Sequence, residues 1–417
     1  MVIIMENKNV KDLSVYKKKF DEDIAAFREF EAMDYVKSLK NQDQLDEAIE
    51  VGKTFLEARP DLKVYINHYG YALFNKYIRN QEVKNEDTYF AIVDEILSLC
   101  KQERYSPYEA TCNAVIRYAT QKTPVDWKTV HTYLEKLNPT LLDKEPFIQE
   151  GKRENESKFE RWYRLNVRAC FEMGDYKRCI EIANQSMTLN IKWHHRNAYW
   201  IRFYRAKSHL QLGQYEECEK EYLALQSNYA DEDFYTDLYH IYKAKGEIQK
   251  ANTYLIYDVY MSGYDASLVP LYQLLLDASK DANQTRIVSI LTAMIAKFKE
   301  EAGEEVEIEE KYQTSDSGQL YDDMMDELTR HLDAYVERKN GKVIHYNTEK
   351  QIGTIVTDEQ STFFRQADFI YDEEVRRFER VDYTIINTYD HRKQAMTSKA
   401  CLILEAEQQE EEFNFGY

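Results

Sequence analysis

Over about the first 300 residues, hydrophobic positions recur at intervals of three and four, the spacing of one face of an α-helix. Three polar turns between these runs share a pattern: a glycine, an aromatic or aliphatic residue two positions later, and a small residue five positions later. Glycine permits a tight turn between antiparallel helices, and the small residue lets the second helix approach the first. The glycines are Gly174, Gly213 and Gly246, and the small residues are Cys179, Cys218 and Ala251.

The three small residues are 39 and 33 positions apart, close to the length of one helical-hairpin unit of about 34 residues. Leu238, Tyr239 and Tyr242 lie upstream on one helical face. This arrangement resembles the tetratricopeptide repeat. The resemblance implies an α-solenoid of antiparallel hairpins over residues 1–300, whose ligands lie on the concave face formed by the first helices. Good matches fall at about 160–258 and 29–60, degenerate ones at 63–100 and 107–139, and helical patterns continue through 267–299.

The pattern changes after residue 300. Residues 301–318 are acidic and polar, which predicts a linker, and 319–339 predict a connecting amphipathic helix. Residues 340–404 contain five short strand-like runs separated by polar turns, which favours a small five-stranded barrel. Residues 405–417 form an acidic tail with aromatic residues near its end. The predicted fold class is therefore mainly α, with a small β-barrel at the C-terminus.

The opening of the barrel segment contains a string that can be compared with a known domain. Gly341-Lys-Val, Asn347, Glu349-Lys350 and Gly353-Thr-Ile355 stand in register with the first two strands of the cold-shock domain. The segment therefore resembles that family, which has an OB-fold and binds single-stranded nucleic acid. The resemblance implies a binding face on the first strands. Its candidate nucleic-acid-binding residues are Lys342, His345, Tyr346, Lys350, Phe363 and Arg365.

The predicted binding face departs from the family. His345 stands where the family has Trp, Ile352 and Thr354 replace two Phe residues, and Gln366 replaces another. Stacking on an aromatic side chain contributes about 1–3 kcal/mol per base, so these replacements predict weak binding of single strands by the barrel alone. The segment 340–404 also carries 9 Lys and Arg against 10 Asp and Glu. Two interpretations remain open: the face contacts RNA or DNA, or it docks a protein.

A basic stretch interrupts the acidic helical region. Residues 152–207 carry 13 Lys and Arg against 6 Asp and Glu, and aromatic residues are interleaved with them. Interleaved basic and aromatic side chains suit an acidic peptide or a single strand. The candidate groove residues are Arg161, Arg164, Arg168, Trp200, Arg202 and Lys207. The alternative interpretation is a solvated face whose cations pair with acidic neighbouring helices.

Composition excludes several classes of protein. The 417 residues carry a formal charge of −19 with a mean hydropathy of −0.68, which excludes a globally basic nucleic-acid binder and predicts no membrane span. No phosphate loop, zinc signature or hydrolase motif is present, so no metal, cofactor or catalytic residue is predicted. The adjacent His194 and His195 are expected to have a loop or capping role. The six cysteines lack metal spacing and are predicted to be buried, in a cytoplasmic protein.

These patterns predict a non-enzymatic adaptor. A protein partner or peptide would bind in the groove of the repeats, and the barrel would add a nucleic-acid contact, as in an accessory subunit of a nucleic-acid-processing, stress or defence assembly. Two alternatives remain: a protein that binds single-stranded RNA or DNA directly, and a peptide-responsive regulator built from tetratricopeptide-like repeats.

Overall fold

The structure is a computed structural model that describes residues 12–148, 154–226, 234–371 and 375–406. The backbone divides into two compact units, one ending at Ser208 and the other beginning at His209. The helices of the first unit, with α10 reaching Gln211, are α1 (Ser14–Glu22), α2 (Glu29–Asn41), α3 (Leu45–Ala58), α4 (Ile66–Tyr77), α5 (Glu86–Leu99), α6 (Tyr108–Gln121), α7 (Trp127–Glu135), α8 (Lys158–Glu172), α9 (Tyr176–Thr188) and α10 (Asn197–Gln211). A short hairpin of β1 (Phe147–Ile148) and β2 (Glu154–Asn155) precedes α8.

Helices α2 to α9 pack as four successive antiparallel pairs. The turn between α8 and α9 contains Gly174 at φ 78°, in the left-handed region that favours glycine, and the small residue Cys179 is fully buried behind it. Asp43, at φ 63°, takes the same backbone conformation between α2 and α3. The side chain of Asp175 accepts a hydrogen bond from the Arg178 amide and so caps the start of α9. The hairpin predicted at the Gly174 turn is confirmed.

Tyrosine fills much of the packed interior. The chain has 34 tyrosines, and eleven of the twelve largest fully buried side chains of the described residues are tyrosines. In the first unit Tyr35, Tyr65 and Tyr69 pack with Phe27 and Phe55. A buried phenol needs a partner for its hydroxyl, and Tyr69 donates to the Glu95 carboxylate at 2.5 Å.

The second unit continues with helical pairs. Its helices are α11 (Tyr215–Gln226), α12 (Tyr235–Ala244), α13 (Ile248–Ser262), α14 (Val269–Asp281), α15 (Thr285–Glu301) and α16 (Ser317–Arg330). Helix α16 packs on α15 through a face that includes Leu320, Met324 and Leu328. The predicted connecting helix is shorter than expected, because it ends at Arg330 and a 3-10 turn, Leu332–Ala334, leads into the first barrel strand.

A closed five-stranded barrel follows. Its strands are β3 (Lys339–Asn347), β4 (Ile352–Val356), β5 (Ser361–Arg365), β6 (Arg380–Asp390) and β7 (Ala395–Glu405), in the order β3-β4-β5-β7-β6. Strand β5 pairs with β7 in parallel, and the other pairings are antiparallel. Gly353 has to lack a side chain, because a Cβ there would lie 2.3 Å from Phe364 in the barrel core. The mainly α fold with a small C-terminal barrel is confirmed.

Within the second unit, β6 packs against α11 and α13, and two buried polar networks join the barrel to these helices. We call these networks the barrel seat. In the first, the Glu219 carboxylate accepts hydrogen bonds from Asn387 at 2.7 Å and from Tyr254 at 3.0 Å. In the second, Lys399 Nζ donates to Asp368 at 2.5 Å and to the Tyr257 hydroxyl at 2.7 Å. The barrel therefore rests on the helices through β6 and β7 and leaves the outer face of β3 to β5 exposed.

Candidate functional site

The first unit contains a groove of about 930 Å³ between α4, α6 and the first turn of α8, which are all first helices of their hairpins. The loop between α5 and α6 closes one side. Five cationic and three anionic side chains line it, an excess of two positive charges in a chain whose net charge is −19. We call it the arginine groove; its charged residues are Arg79, Arg104, Arg117, Lys158, Arg161, Glu103, Glu109 and Asp143.

The acidic residues of the arginine groove are already engaged. Glu109 forms an ion pair with Lys158 at 2.6 Å, so these two charges neutralise each other. Glu103 accepts a hydrogen bond from the amide of Asn67 at 2.9 Å, and Asp143 accepts one from the backbone of Glu145 at 3.0 Å. Neutral donors leave the charges of Glu103 and Asp143 in place, so the groove keeps its excess of two positive charges.

Arg161 is half-buried in the wall of the groove, on α8. Within the part of the chain that the structure describes, its guanidinium has no hydrogen-bond or ion-pair partner. Burial lowers the pKa of Arg161, and the nearby charges of Arg164 and Arg117 lower it further, against the opposing effect of Glu156. Burying a cation without a partner costs free energy, so an anion that entered the groove would be stabilised there.

Two other arginines of the groove come from neighbouring elements. Arg117 lies on α6 and is exposed, and its side chain has no ion-pair partner among the described residues. Arg104 lies over the ring of Tyr105, with 4.8 Å between the guanidinium carbon and the ring centroid. The Tyr105 side chain is 73% exposed, and its φ of 65° is uncommon for a residue other than glycine. The groove thus combines cationic side chains with an exposed aromatic ring.

The structure separates the three arginines that the sequence placed on one face of α8. Only Arg161 lines the arginine groove. Arg164 forms two hydrogen bonds with the Glu156 carboxylate, at 2.8 and 2.6 Å. Arg168 pairs with Glu172 at 3.4 Å and lies over the ring of Trp127 at 4.7 Å. For Arg164 and Arg168 the geometry agrees with the salt-bridged interpretation.

The remaining predicted groove residues lie on α10 and not in the arginine groove. Trp200 packs in an aromatic group with Tyr199 and Phe203, at centroid distances of 5.2 and 5.6 Å. Lys207 Nζ lies 4.9 Å from the centre of the Phe203 ring, and Arg202 is half-buried. The sequence pattern did not point to Arg79, Arg104 and Arg117, which lie far apart in the chain and meet only through the packing of successive hairpins.

The predicted residues of the barrel lie mainly on the exposed face of β3, β4 and β5. His345 pairs with Thr354, and Thr354 pairs with Phe363, so the three form one row across the strands. Arg365 stands in the next row opposite Ile352, and Lys342 lies at the other end of the face opposite Val356. Phe363 is 40% exposed, and Lys350 is exposed in the turn between β3 and β4.

Tyr346 is the exception, because its side chain turns into the barrel. Its ring stacks on Phe364 at 6.1 Å, and its hydroxyl donates to the Gln366 side chain. The cause is a β-bulge between Val343 and His345, which shifts the alternation of inward and outward positions along β3. Tyr346 therefore supports the barrel core and is not available for stacking.

An aromatic residue that the sequence did not single out borders this face. Phe378 is 59% exposed and has a φ of 71°. Lys342 and Arg377 lie over its ring, at 5.5 and 5.6 Å from the centroid. Such an exposed ring between two cations is suited to stacking with a planar group that carries negative charge nearby. Its signal in the sequence is the Arg-Arg-Phe run that precedes β6.

His194 belongs to a buried acid–base pair. Its Nδ1 lies 2.6 Å from Glu160, which is fully buried and also accepts hydrogen bonds from the His194 amide and from Asn197. Burial acts to lower the pKa of His194, but the hydrogen bonds and the charges of Glu160 and Glu154 together outweigh it and raise the pKa above its usual value. This pair fixes the loop before α10, consistent with the predicted loop role.

Across residues 12–148, 154–226, 234–371 and 375–406, no group of three or more His, Cys, Asp or Glu side chains is arranged to hold a metal ion. No helix in those same ranges combines the length and the apolar character needed to cross a membrane. All six cysteines are buried thiols.

No protein-family model matches the chain, and no curated protein sequence is significantly similar to it.

Proposed function

We propose that this protein is a non-enzymatic adaptor whose arginine groove binds an acidic segment of a partner protein. The observation that carries the proposal is the half-buried cation Arg161, whose guanidinium has no hydrogen-bond or ion-pair partner among the described residues. It lies in a groove lined by first helices of successive hairpins. A volume of about 930 Å³ accommodates several residues of an extended chain. The tetratricopeptide-like pattern of the hairpins supports the same proposal, because such arrays use first helices to hold peptides.

Selection from a displayed library of random short peptides tests the proposal. Peptides retained by the full chain should be enriched in Asp and Glu, and binding should weaken as salt is added. Arg161→Glu should abolish the enrichment. Lys128→Glu is the matched control, because Lys128 is an exposed cation of α7 outside the groove and its reversal makes the same charge change. Equal enrichment by the two variants would contradict the proposal.

A second candidate function is binding of single-stranded nucleic acid by the barrel, and the position of the barrel seat favours it. Strands β6 and β7 face the helices, whereas β3 to β5 expose Phe363 and, at their margin, Phe378 with its two cations. The resemblance to the cold-shock domain supports the same face. Two exposed rings border it, fewer than the family carries, so we expect modest affinity and a contribution of about 1–3 kcal/mol from each stacked base.

Fluorescence anisotropy with a labelled oligouridine tests this second function. Phe363→Ala and Lys342→Ala should each weaken binding at least about fivefold if bases stack and phosphates pair on this face. Lys393→Ala serves as the control, because Lys393 is an exposed cation in the turn between β6 and β7. Identical affinities for all three variants would exclude the face.

A further inference from the structure

The arginines of the arginine groove have no ion-pair partner among the described residues, and two of them, Arg117 and Arg161, lie on successive first helices. We infer that the groove recognises a phosphorylated side chain within an extended peptide, and that Arg117 and Arg161 bind the phosphoryl group. This inference rests on the proposed peptide-binding function and specifies the chemistry of the ligand.

The arginines of α8 differ in whether they have an acidic partner. Arg164 and Arg168 have carboxylate partners in Glu156 and Glu172. Arg161 lies one turn from Arg164 on the same helix and is half-buried. It has no carboxylate partner among the described residues. Glu156 lies near enough to influence Arg161 but is already held by Arg164 and by Asn197. Because Glu156 is held by Arg164 and Asn197, the Arg161 guanidinium remains open to an external anion.

The cations that α6 and α8 contribute to the groove are Arg117, Lys158 and Arg161. Lys158 is paired with Glu109, so Arg117 and Arg161 are the two without an ion-pair partner among the described residues. The two arginines are close enough for the charge of Arg117 to lower the pKa of Arg161. A carboxylate carries one negative charge and would leave one guanidinium unbalanced. A phosphoryl group carries about −1.5 to −2 charges at neutral pH and would balance both.

The geometry and the surroundings of these two arginines suit a phosphoryl group. A guanidinium presents a planar fork of donors that pairs with two oxygens of a phosphoryl group at once, which an ammonium group cannot do. The arginines approach from two adjacent first helices, α6 and α8, so a phosphoryl group between them would meet a donor fork from each side. The half-buried Phe74 and the exposed Leu141 give the rest of the groove apolar surface for flanking residues of the peptide.

The test measures binding of the full chain to three labelled mixtures of short peptides with randomised flanks. The fixed central residue is phosphothreonine, threonine or glutamate. We expect the phosphothreonine mixture to bind at least about tenfold more tightly than the glutamate mixture, and the threonine mixture most weakly. Arg117→Ala should reduce the preference for phosphothreonine over glutamate towards one. Arg117 is exposed, so this variant should fold normally, and Arg117→Lys should keep only part of the preference.

The outcomes are distinguishable. Equal binding of the phosphothreonine and glutamate mixtures would overturn the inference and leave the acidic-peptide adaptor intact. Binding of none of the mixtures would overturn both. A preference for phosphothreonine that survives both Arg117→Ala and Arg161→Ala would place the phosphoryl group elsewhere and overturn the inference. Displacement of the phosphothreonine mixture by labelled oligouridine, lost in Arg161→Ala, would make the ligand a nucleic acid and overturn the inference too. Lys128→Ala should leave all affinities unchanged.

Discussion

The arginine groove and the barrel seat use buried charge in opposite ways. In the barrel seat, Lys399 is matched by Asp368 and Tyr257, and Glu219 is matched by Asn387 and Tyr254. In the arginine groove, Arg161 is partly buried without such partners among the described residues. A satisfied buried charge fixes one arrangement of the chain, whereas an unsatisfied one destabilises the free protein and is relieved by a ligand. The two regions therefore predict opposite responses to substitution.

The largest effect should come from breaking the barrel seat. Lys399→Met leaves the buried Asp368 carboxylate without its cation, and removing one partner of a buried pair costs about 3–5 kcal/mol. Both Lys399 and Asp368 are less than a tenth exposed. Hydrogen exchange followed by mass spectrometry should show faster exchange in β6 and β7. Lys393→Met, in the exposed turn, is the control, and normal exchange rates in Lys399→Met would show that the network contributes little.

Gly353→Ala should damage the barrel by overpacking and not through charge. The new methyl group would lie 2.3 Å from the Phe364 ring, so the ring or the strand has to move. Overpacking of this kind costs about 1–3 kcal/mol. Gly318→Ala is the matched control, because the nearest atom there is 3.4 Å away and the position lies in the first turn of α16. If denaturant unfolding showed the Gly353→Ala barrel to be as stable as the wild-type barrel, the close approach would be contradicted.

Arg164 and Arg161 of α8 should respond to substitution in opposite directions. Arg164→Met leaves Glu156 without its main partner and should lower the stability of the first unit by about 1–3 kcal/mol. Arg161→Met removes a buried cation that has no partner in the described chain, so it should raise the unfolding midpoint while weakening acidic-peptide binding. All four tryptophans lie in the first unit, so their fluorescence follows its unfolding. Destabilisation by both variants would mean that Arg161 also has a structural role.

The smallest effect should be a pH dependence from His194. Its folded-state pKa is raised above the value of about 6.5 expected for the unfolded chain. The stabilisation is therefore complete below pH 6.5 and is lost as the pH rises through the folded-state pKa. The melting temperature of the wild type should exceed that of His194→Gln most at about pH 6, and the difference should shrink towards pH 8.5. A difference that grows with pH would contradict a protonated His194 beside Glu160.

The sequence predicted the hairpins and the barrel because both rest on local patterns. Turn glycines, small residues at fixed spacing and helical periodicity report on neighbouring residues, and Gly174 with Cys179 shows this directly. In the predicted match at 29–60 the turn contains Asp43 in place of a glycine, because an aspartate can take the same left-handed conformation. Strand alternation predicted five strands, but the bulge beside His345 reversed the orientation of Tyr346.

The candidate site was less predictable because it depends on residues that are distant in the chain. Helical spacing placed Arg161, Arg164 and Arg168 on one face, but it contained no information about Glu156, which precedes the helix and binds Arg164. Arg117 lies more than forty positions before Arg161, and only the packing of adjacent hairpins brings both to the same groove. Whether a given arginine is paired is decided by tertiary contacts, not by its own helix.

The tyrosine-rich interior allows opening of the core to be followed by ultraviolet absorbance. Exposed phenols ionise near pH 10, whereas burial raises the pKa of Tyr65, Tyr89 and Tyr133 to about 12. Phenolate and phenol have different ultraviolet absorbance. After a rapid jump to alkaline pH, the absorbance of the surface tyrosines therefore changes at once. The buried tyrosines ionise only when the structure around them opens. The delayed phase therefore times the opening of the core without any attached label.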